Sequence, residues 1–235
     1  AEQKQDAKSK PPESAKSLKE TFEHWRATPG WRPQDASSRG CVERMVRADE
    51  NNQRCELRFR EAMVPPLHRD QTVNLDSSPA QWVNWRGVLL ESLGAGFLYA
   101  LIGIRGTGKT QMAVSIIREA CRRGRSARYI TAYGMLLGVR EAMKSSDDTE
   151  SSAIQRMITP SLLVIDEIHV RGETDFEDRT FTHIIDQRYS HKLDTIMIGN
   201  LEEKEWAASV GSSVCSRLTE KGSIINCNWE SFRDK

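Results

Sequence analysis

Apolar positions follow two rhythms along this chain. Short stretches rich in apolar and β-forming residues, bounded by polar residues or glycine, mark strands at residues 97–102, 127–131, 161–165, 195–198 and 224–227. Between them apolar residues recur three or four apart, as on one face of a helix. Met112, Ala113, Ile116, Ile117, Ala120 and Cys121 form one such face, ended by Gly124. Trp82, Trp85, Val88, Leu89 and Leu93 predict a helix over 79–93 with those five buried. Residues 132–158 read as two helices. Met135, Leu136, Val139 and Met143 line the first, and Ile154, Met157 and Ile158 line the second. Thr174-x-x-Glu177 reads as a capping box opening a helix that carries Phe181, Ile184 and Ile185. Short helices follow around 202–208 and 212–220. Strands alternating with helices predict an α/β domain with a parallel sheet. The unbroken Leu162-Leu163-Val164-Ile165 is what a central strand buried on both faces requires.

The first quarter of the chain reads differently. Over 41–62 Val42, Met45, Val46, Leu57 and Phe59 recur among charges of alternating sign, as on a solvated helix. Pro65-Pro66 ends that pattern, which places a boundary near residue 64. Residues 1–63 then form a mostly helical extension and 64–235 the α/β domain. Residues 1–40 are polar and broken by Pro11-Pro12, Pro29-Gly30 and Pro33. Leu18, Phe22 and Trp25 make a short apolar stripe over 15–26, either a partner-binding helix or a weakly ordered tail with packing aromatics.

Composition narrows the classes. The chain has 235 residues, 38% of them hydrophobic, and a net charge of +1, so any nucleic-acid surface must be local. One local candidate is Arg118, Arg122, Arg123, Arg125 and Arg128, which reads either as cations at a helix C-terminus or as an anion patch. Five cysteines, an odd count without C-x-x-C, point to reduced thiols and a cytoplasmic protein. Cys41, Cys55, His24 and His68 match no common zinc spacing. No apolar run approaches the ~20 residues that span a bilayer, and none near the start reads as a secretory leader.

The chemistry concentrates in Gly103-Ile104-Arg105-Gly106-Thr107-Gly108-Lys109-Thr110, which fits the phosphate-cradling G-x-x-x-x-G-K-[ST]. It lies between a strand and a helix, as that loop must. Glycines let successive N–H groups turn toward one anion, and the helix adds its N-terminal dipole. Gly103, Arg105, Gly106, Thr107, Gly108, Lys109, Thr110 and Gln111 are the expected ATP-binding set, with Lys109 on the β- and γ-phosphates. Thr110 and Asp166 are the expected Mg²⁺ ligands. Glu167, next to Asp166, suits a general base for water. Asn200 follows another strand at the same sheet edge, where open α/β sheets bind ligand.

In combination GIRGTGKT, LLVIDE, IMIGN and SRL resemble an AAA+ ATPase. Within that class the chain resembles the bacterial DnaC-type replicative helicase loaders, and more broadly the DnaC/IstB proteins, from about Val64 onward. VPPLH at 64–68, LLVIDEI at 162–168, IIDQRY at 184–189 and NWESFR at 228–233 carry the likeness. The last has no visible catalytic reason and serves as a family marker. The resemblance implies a five-stranded parallel sheet flanked by helices, without a C-terminal helical lid. It implies that Asn200 senses the γ-phosphate and that Arg217 reaches a neighbouring subunit's nucleotide, so the protein self-associates through its ATP sites. Relatives often carry a second arginine one turn earlier, where this chain has Ser212 and Ser213. Over 133–158 it implies contact with single-stranded DNA, with Tyr133, Arg140 and Lys144 as candidates. The implied partner is a hexameric replicative helicase, gripped by the extension. An IstB-like transposition helper and, more remotely, a P-loop small-molecule kinase are the other readings.

Overall fold

Every strand run in the sequence becomes a strand of one parallel sheet. The computed structural model describes Glu20, Glu23, Ala27 and residues 36–232 apart from Glu173. Leu18, Phe22, Trp25 and His24 lie outside the described residues. Within these limits the chain divides into two units, with the break between Glu56 and Leu57. Helix α1 (Ala36–Glu61) begins earlier than its apolar pattern, which starts only at Val42. In the second unit follow α2 (Pro66–Arg69), α3 (Ala80–Ser92), β1 (Leu98–Ile102), α4 (Lys109–Arg122), β2 (Ala127–Thr131), α5 (Ala132–Ala142) and α6 (Glu150–Ile158). Then come β3 (Leu162–Asp166), α7 (Asp175–Ser190), β4 (Asp194–Ile198), α8 (Glu203–Lys221) and β5 (Gly222–Asn226).

The strand order is β2-β3-β4-β1-β5, all parallel. Strands β3 and β4 are buried at every position, which is why residues 162–165 and 196–198 are unbroken apolar runs. One sheet face gives Leu98, Ala100, Leu163, Ile165 and Met197 to a core closed by α5, α6, α7 and α8. Alternate residues point the other way, where α4 lies against β2, β3 and β4. The order puts the C-terminal ends of β3, β4 and β1 side by side. Asp166, Asn200 and the glycine loop therefore meet at one edge.

Local expectations need three corrections. Val88 and Met143 are exposed, because α3 turns only Trp82 and Leu89 fully inward and Met143 lies just past the end of α5. The capping box at α7 is half made. Thr174 accepts the N–H of Glu177, but the Glu177 carboxylate turns away to Arg140. The two short helices after β4 run together as α8, kinked at Gly211 (φ 81°).

The base of the sheet is tied by Arg188, which is fully buried. Its guanidinium donates to Thr195 Oγ1 and to the carbonyls of Met157, Ile158, Pro160 and Asp194. One side chain thus joins the end of α6, the entry to β3 and the start of β4. Burial pulls its pKa down, to about 9, so it stays charged at neutral pH. Removing it strands several buried acceptors at once. Arg188→Ala is expected to lower the unfolding free energy by about 3–5 kcal/mol. Urea denaturation measures this, and a loss under about 1 kcal/mol would contradict the role.

Candidate nucleotide site

β1 hands the chain directly into the glycine loop. At Gly103 (φ 118°) an added Cβ would lie 2.9 Å from the Cys227 carbonyl oxygen, so only glycine fits. The Gly103 N–H donates to Leu201 O at 3.1 Å, binding the loop's first residue to the segment that carries Asn200. Lys109 opens α4 and is buried. Its ammonium donates to Gly103 O at 2.8 Å and Ile104 O at 2.5 Å. Burial holds the Lys109 pKa below its ordinary value, against the opposing pull of Cys227 and Asp166. Burial also pushes the Cys227 thiol up to about 12. It is therefore neutral near pH 7, and Asp166 is the anion that matters to Lys109.

Asp166, buried at the end of β3, organises the next layer. Its Oδ2 accepts the Thr110 hydroxyl at 2.8 Å and the Tyr129 phenol at 2.7 Å. Its Oδ1 accepts the Glu167 N–H at 2.7 Å. Burial, then the Asp166 charge, raises the Tyr129 pKa, so the phenol remains a donor at every ordinary pH. Glu167 is exposed and holds a left-handed backbone (φ 57°, ψ 43°) uncommon for a residue with a side chain.

These groups share a cavity of about 1090 Å³. Arg105, Gly106, Thr107, Gly108, Lys109, Thr110, Gln111, Asp166, Glu167 and Asn200 line it, and of the expected ATP-binding set Gly103 alone does not. The Asn200 N–H lies 3.4 Å from His169 Nδ1, which links the turn after Glu167 to the end of β4. The Thr110 hydroxyl and Asp166 carboxylate are adjacent hard oxygen donors, the type Mg²⁺ takes. Chemically the arrangement offers a glycine loop and a cation for phosphate, oxygens for a divalent ion, and a free carboxylate for water.

Sequence reasoning overlooked three contributions to this cavity. Tyr129 lies two residues before Thr131, the register partner of Asp166. A tyrosine in a strand run is a signal only once β2 is known to pair with β3. The stretch between Pro66 and α3 supplies His68 and Gln71, which Gln111 contacts at 3.4 Å and 3.3 Å. Trp82 and Phe232 also face the cavity.

The remaining expected site residues lie elsewhere. Arg217, on α8, is absent from the cavity wall and pairs with Asp186 at 3.0 Å, over the Tyr189 ring. It also donates to Ser213 O and Ser213 Oγ. Tyr133 is 56% exposed on α5, and Lys144 is exposed beyond it. Arg140 pairs with buried Glu177 at 2.7 Å, so part of its charge is already matched. The arginines around the end of α4 are mostly engaged. Arg118 donates to Arg69 O, Arg122 and Arg123 pair with Glu119, and Arg125 lies 3.5 Å from Asp194. Among the described residues the cysteines Cys55, Cys121, Cys215 and Cys227 are in no disulfide. Among those residues no group of three or more His, Cys, Asp or Glu is placed to hold a metal, and no helix is long and apolar enough to cross a membrane.

Comparison with known proteins gives the following. Residues 98–235 match the family described as IstB-like ATP binding protein. The replicative helicase loader DnaC of Escherichia coli strain K12 is 31% identical over 142 residues, 60% of this chain and 57% of that protein. The DnaC loader of Buchnera aphidicola subsp. Baizongia pistaciae is 28% identical over 143 residues, 60% of this chain and 57% of that protein. The matched stretch thus spans little more than half of these curated relatives. Among solved structures, the DnaC helicase loader crystal structure superposes with a TM-score of 0.57 at 18% identity, covering 72% of this chain and 98% of that one. Replication initiator DnaA bound to AMPPCP and single-stranded DNA gives a TM-score of 0.59 at 19% identity, covering 72% and 52%. At such identities the superpositions speak for the AAA+ fold.

Proposed function

Because the chain belongs to the family of IstB-like ATP binding proteins, we propose that it is an ATP-driven loader that binds a hexameric replicative DNA helicase and places it on single-stranded DNA. What carries the choice of cargo is the 31% identity over 142 residues to a protein named a replicative helicase loader. The P-loop amides and Lys109 hold the β- and γ-phosphates. Thr110 and Asp166 would hold Mg²⁺, which neutralises phosphate charge, while Tyr129 keeps Asp166 turned toward the site. Glu167 polarises the attacking water and Asn200 senses the γ-phosphate. Arg217 completes the site of a neighbouring protomer, so ATP binding and self-association rise together. Tyr133, Arg140 and Lys144 contact single-stranded DNA, with Arg140 first leaving Glu177. Residues 1–63 form the helicase grip and 64–235 the ATPase domain.

The other cargo to test is a transposase, which an IstB-like helper would deliver. Native mass spectrometry of the chain mixed with a hexameric replicative helicase, with and without ATP and Mg²⁺, separates the two. The expected result is a helicase–loader complex that ATP enlarges. Absence of a complex under both conditions overturns the loader reading. ATP turnover in water with no acceptor present counts against a small-molecule kinase.

A further inference from the structure

The stretch after β5 has no role in the chemistry described so far, yet it runs along the P-loop. The sheet order explains why. β5 is the neighbour of β1, and Ile102 is in register with Asn226. The chain therefore leaves β5 beside the point where β1 becomes the glycine loop. Cys227 N–H donates to Ile102 O at 2.7 Å. The Trp229 indole donates to Thr107 O at 2.7 Å, and the Phe232 N–H donates to Gly106 O at 2.9 Å. From α3, the Trp82 indole reaches Gly108 O at 3.2 Å, a carbonyl that also accepts Met112 N–H. Three consecutive P-loop carbonyls are thus each held by a donor contributed from outside the loop. The Phe232 and Trp82 rings meet edge-on, centroids 6.1 Å apart. A Cβ on Gly108 would lie 2.9 Å from the Phe232 ring, so glycine there admits that ring as well as the phosphate.

Peptide planarity turns these outer contacts into an inner effect. In a trans peptide the C=O of one residue and the N–H of the next point in opposite directions. Fixing the carbonyls of Gly106, Thr107 and Gly108 fixes the N–H groups of Thr107, Gly108 and Lys109 on the other side. Convergent N–H groups of this kind make an anion-binding concavity. An unheld glycine loop would lose that arrangement through its own freedom.

We propose that Trp229, Phe232 and Trp82 are positioning residues for polyphosphate, holding the P-loop carbonyls so that the loop keeps its phosphate-binding form. The proposal rests on the reading of residues 103–110 as the phosphate site. Coupling of this kind is reciprocal, so bound phosphate tightens the stretch from Cys227 to Phe232 in turn. Nucleotide state is thereby communicated to the C-terminal end of the domain.

The test uses the full chain, wild type, Trp229→Phe and Phe232→Ala. Trp229→Phe removes the indole donor and keeps an aromatic ring. Phe232→Ala alters a partly exposed side chain and leaves its backbone donor in place. Calorimetry measures Mg²⁺-ATP and inorganic tripolyphosphate, which has no base or ribose. Hydrogen exchange follows the Phe232 amide. Losing a buried donor to Thr107 O is expected to weaken both ligands about tenfold in Trp229→Phe, with a smaller loss in Phe232→Ala. The melting temperature without ligand should shift little in Phe232→Ala. In wild type, ATP should slow exchange at Phe232. Wild-type affinity for tripolyphosphate in both variants, or Phe232 exchange indifferent to ATP, overturns the proposal. A wild-type chain that binds neither ligand overturns the phosphate-site reading and the proposal with it.

Discussion

Arg217→Ala is expected to bind ATP like wild type and to lose nearly all DNA- or helicase-stimulated hydrolysis. The first half follows from position. Arg217 is absent from the cavity wall and sits on α8 against Asp186 and Tyr189. Losing it removes nothing that its own nucleotide touches. The second half follows from the trans role proposed for it, since an arginine supplied to a transferring phosphoryl group contributes about 10³–10⁵ in rate. Mixing experiments sharpen the test. Protomers carrying Lys109→Ala keep a good arginine and lack a good site, and those carrying Arg217→Ala have the reverse. Together they rebuild complete sites at some junctions, so the mixture should hydrolyse ATP although neither variant does alone. Unchanged stimulated turnover in Arg217→Ala, or a silent mixture, would sink the trans role.

Glu167→Gln is expected to separate binding from hydrolysis. The substitution keeps the size of the side chain and removes its ability to take a proton. Loss of a positioned general base lowers the rate by about 10²–10⁴. ATP affinity should hold, because Lys109, Thr110 and Asp166 are untouched, and single-turnover hydrolysis beside equilibrium binding distinguishes the two effects. Backbone geometry adds a second readout. The left-handed conformation of Glu167 is one that glycine adopts freely. Glu167→Gly should therefore be at least as stable as wild type while also failing to hydrolyse ATP. A glycine variant that melts well below wild type would show that the Glu167 side chain is needed for folding instead.

The fold was readable because its signals are local. Each strand is a short apolar run, the central ones unbroken, and the helices between them repeat at 3.6 residues. The P-loop residues and Asp166 were readable for a related reason, since their chemistry dictates residue types at fixed spacing. Tyr129 was invisible because its importance lies in register with β3, over thirty residues on. His68 lies in the short helix α2 and Gln71 just after it, and no spacing there ties them to the glycine loop. Trp229 and Phe232 looked like idle markers because their partners, Thr107 and Gly106, are near only after β5 docks on β1. Glu177 shows the reverse failure. Its spacing from Thr174 satisfies the capping pattern, but a buried carboxylate near Arg140 gains more from the ion pair than from a backbone N–H. Met143 failed through position alone, lying one residue beyond the end of α5.

The Trp229–Thr107 contact joins residues 122 positions apart in the chain. During synthesis the glycine loop is complete long before the strand and indole that hold it exist. Early in that interval an α/β intermediate has its P-loop sequence but not the arrangement that grips phosphate. On the positioning role proposed for Trp229, nucleotide capture would report that β5 has closed onto the sheet, and a chain cut before Trp229 is expected to bind ATP poorly. On the trans role proposed for Arg217, this would keep unfinished copies out of assemblies built on the ATP site.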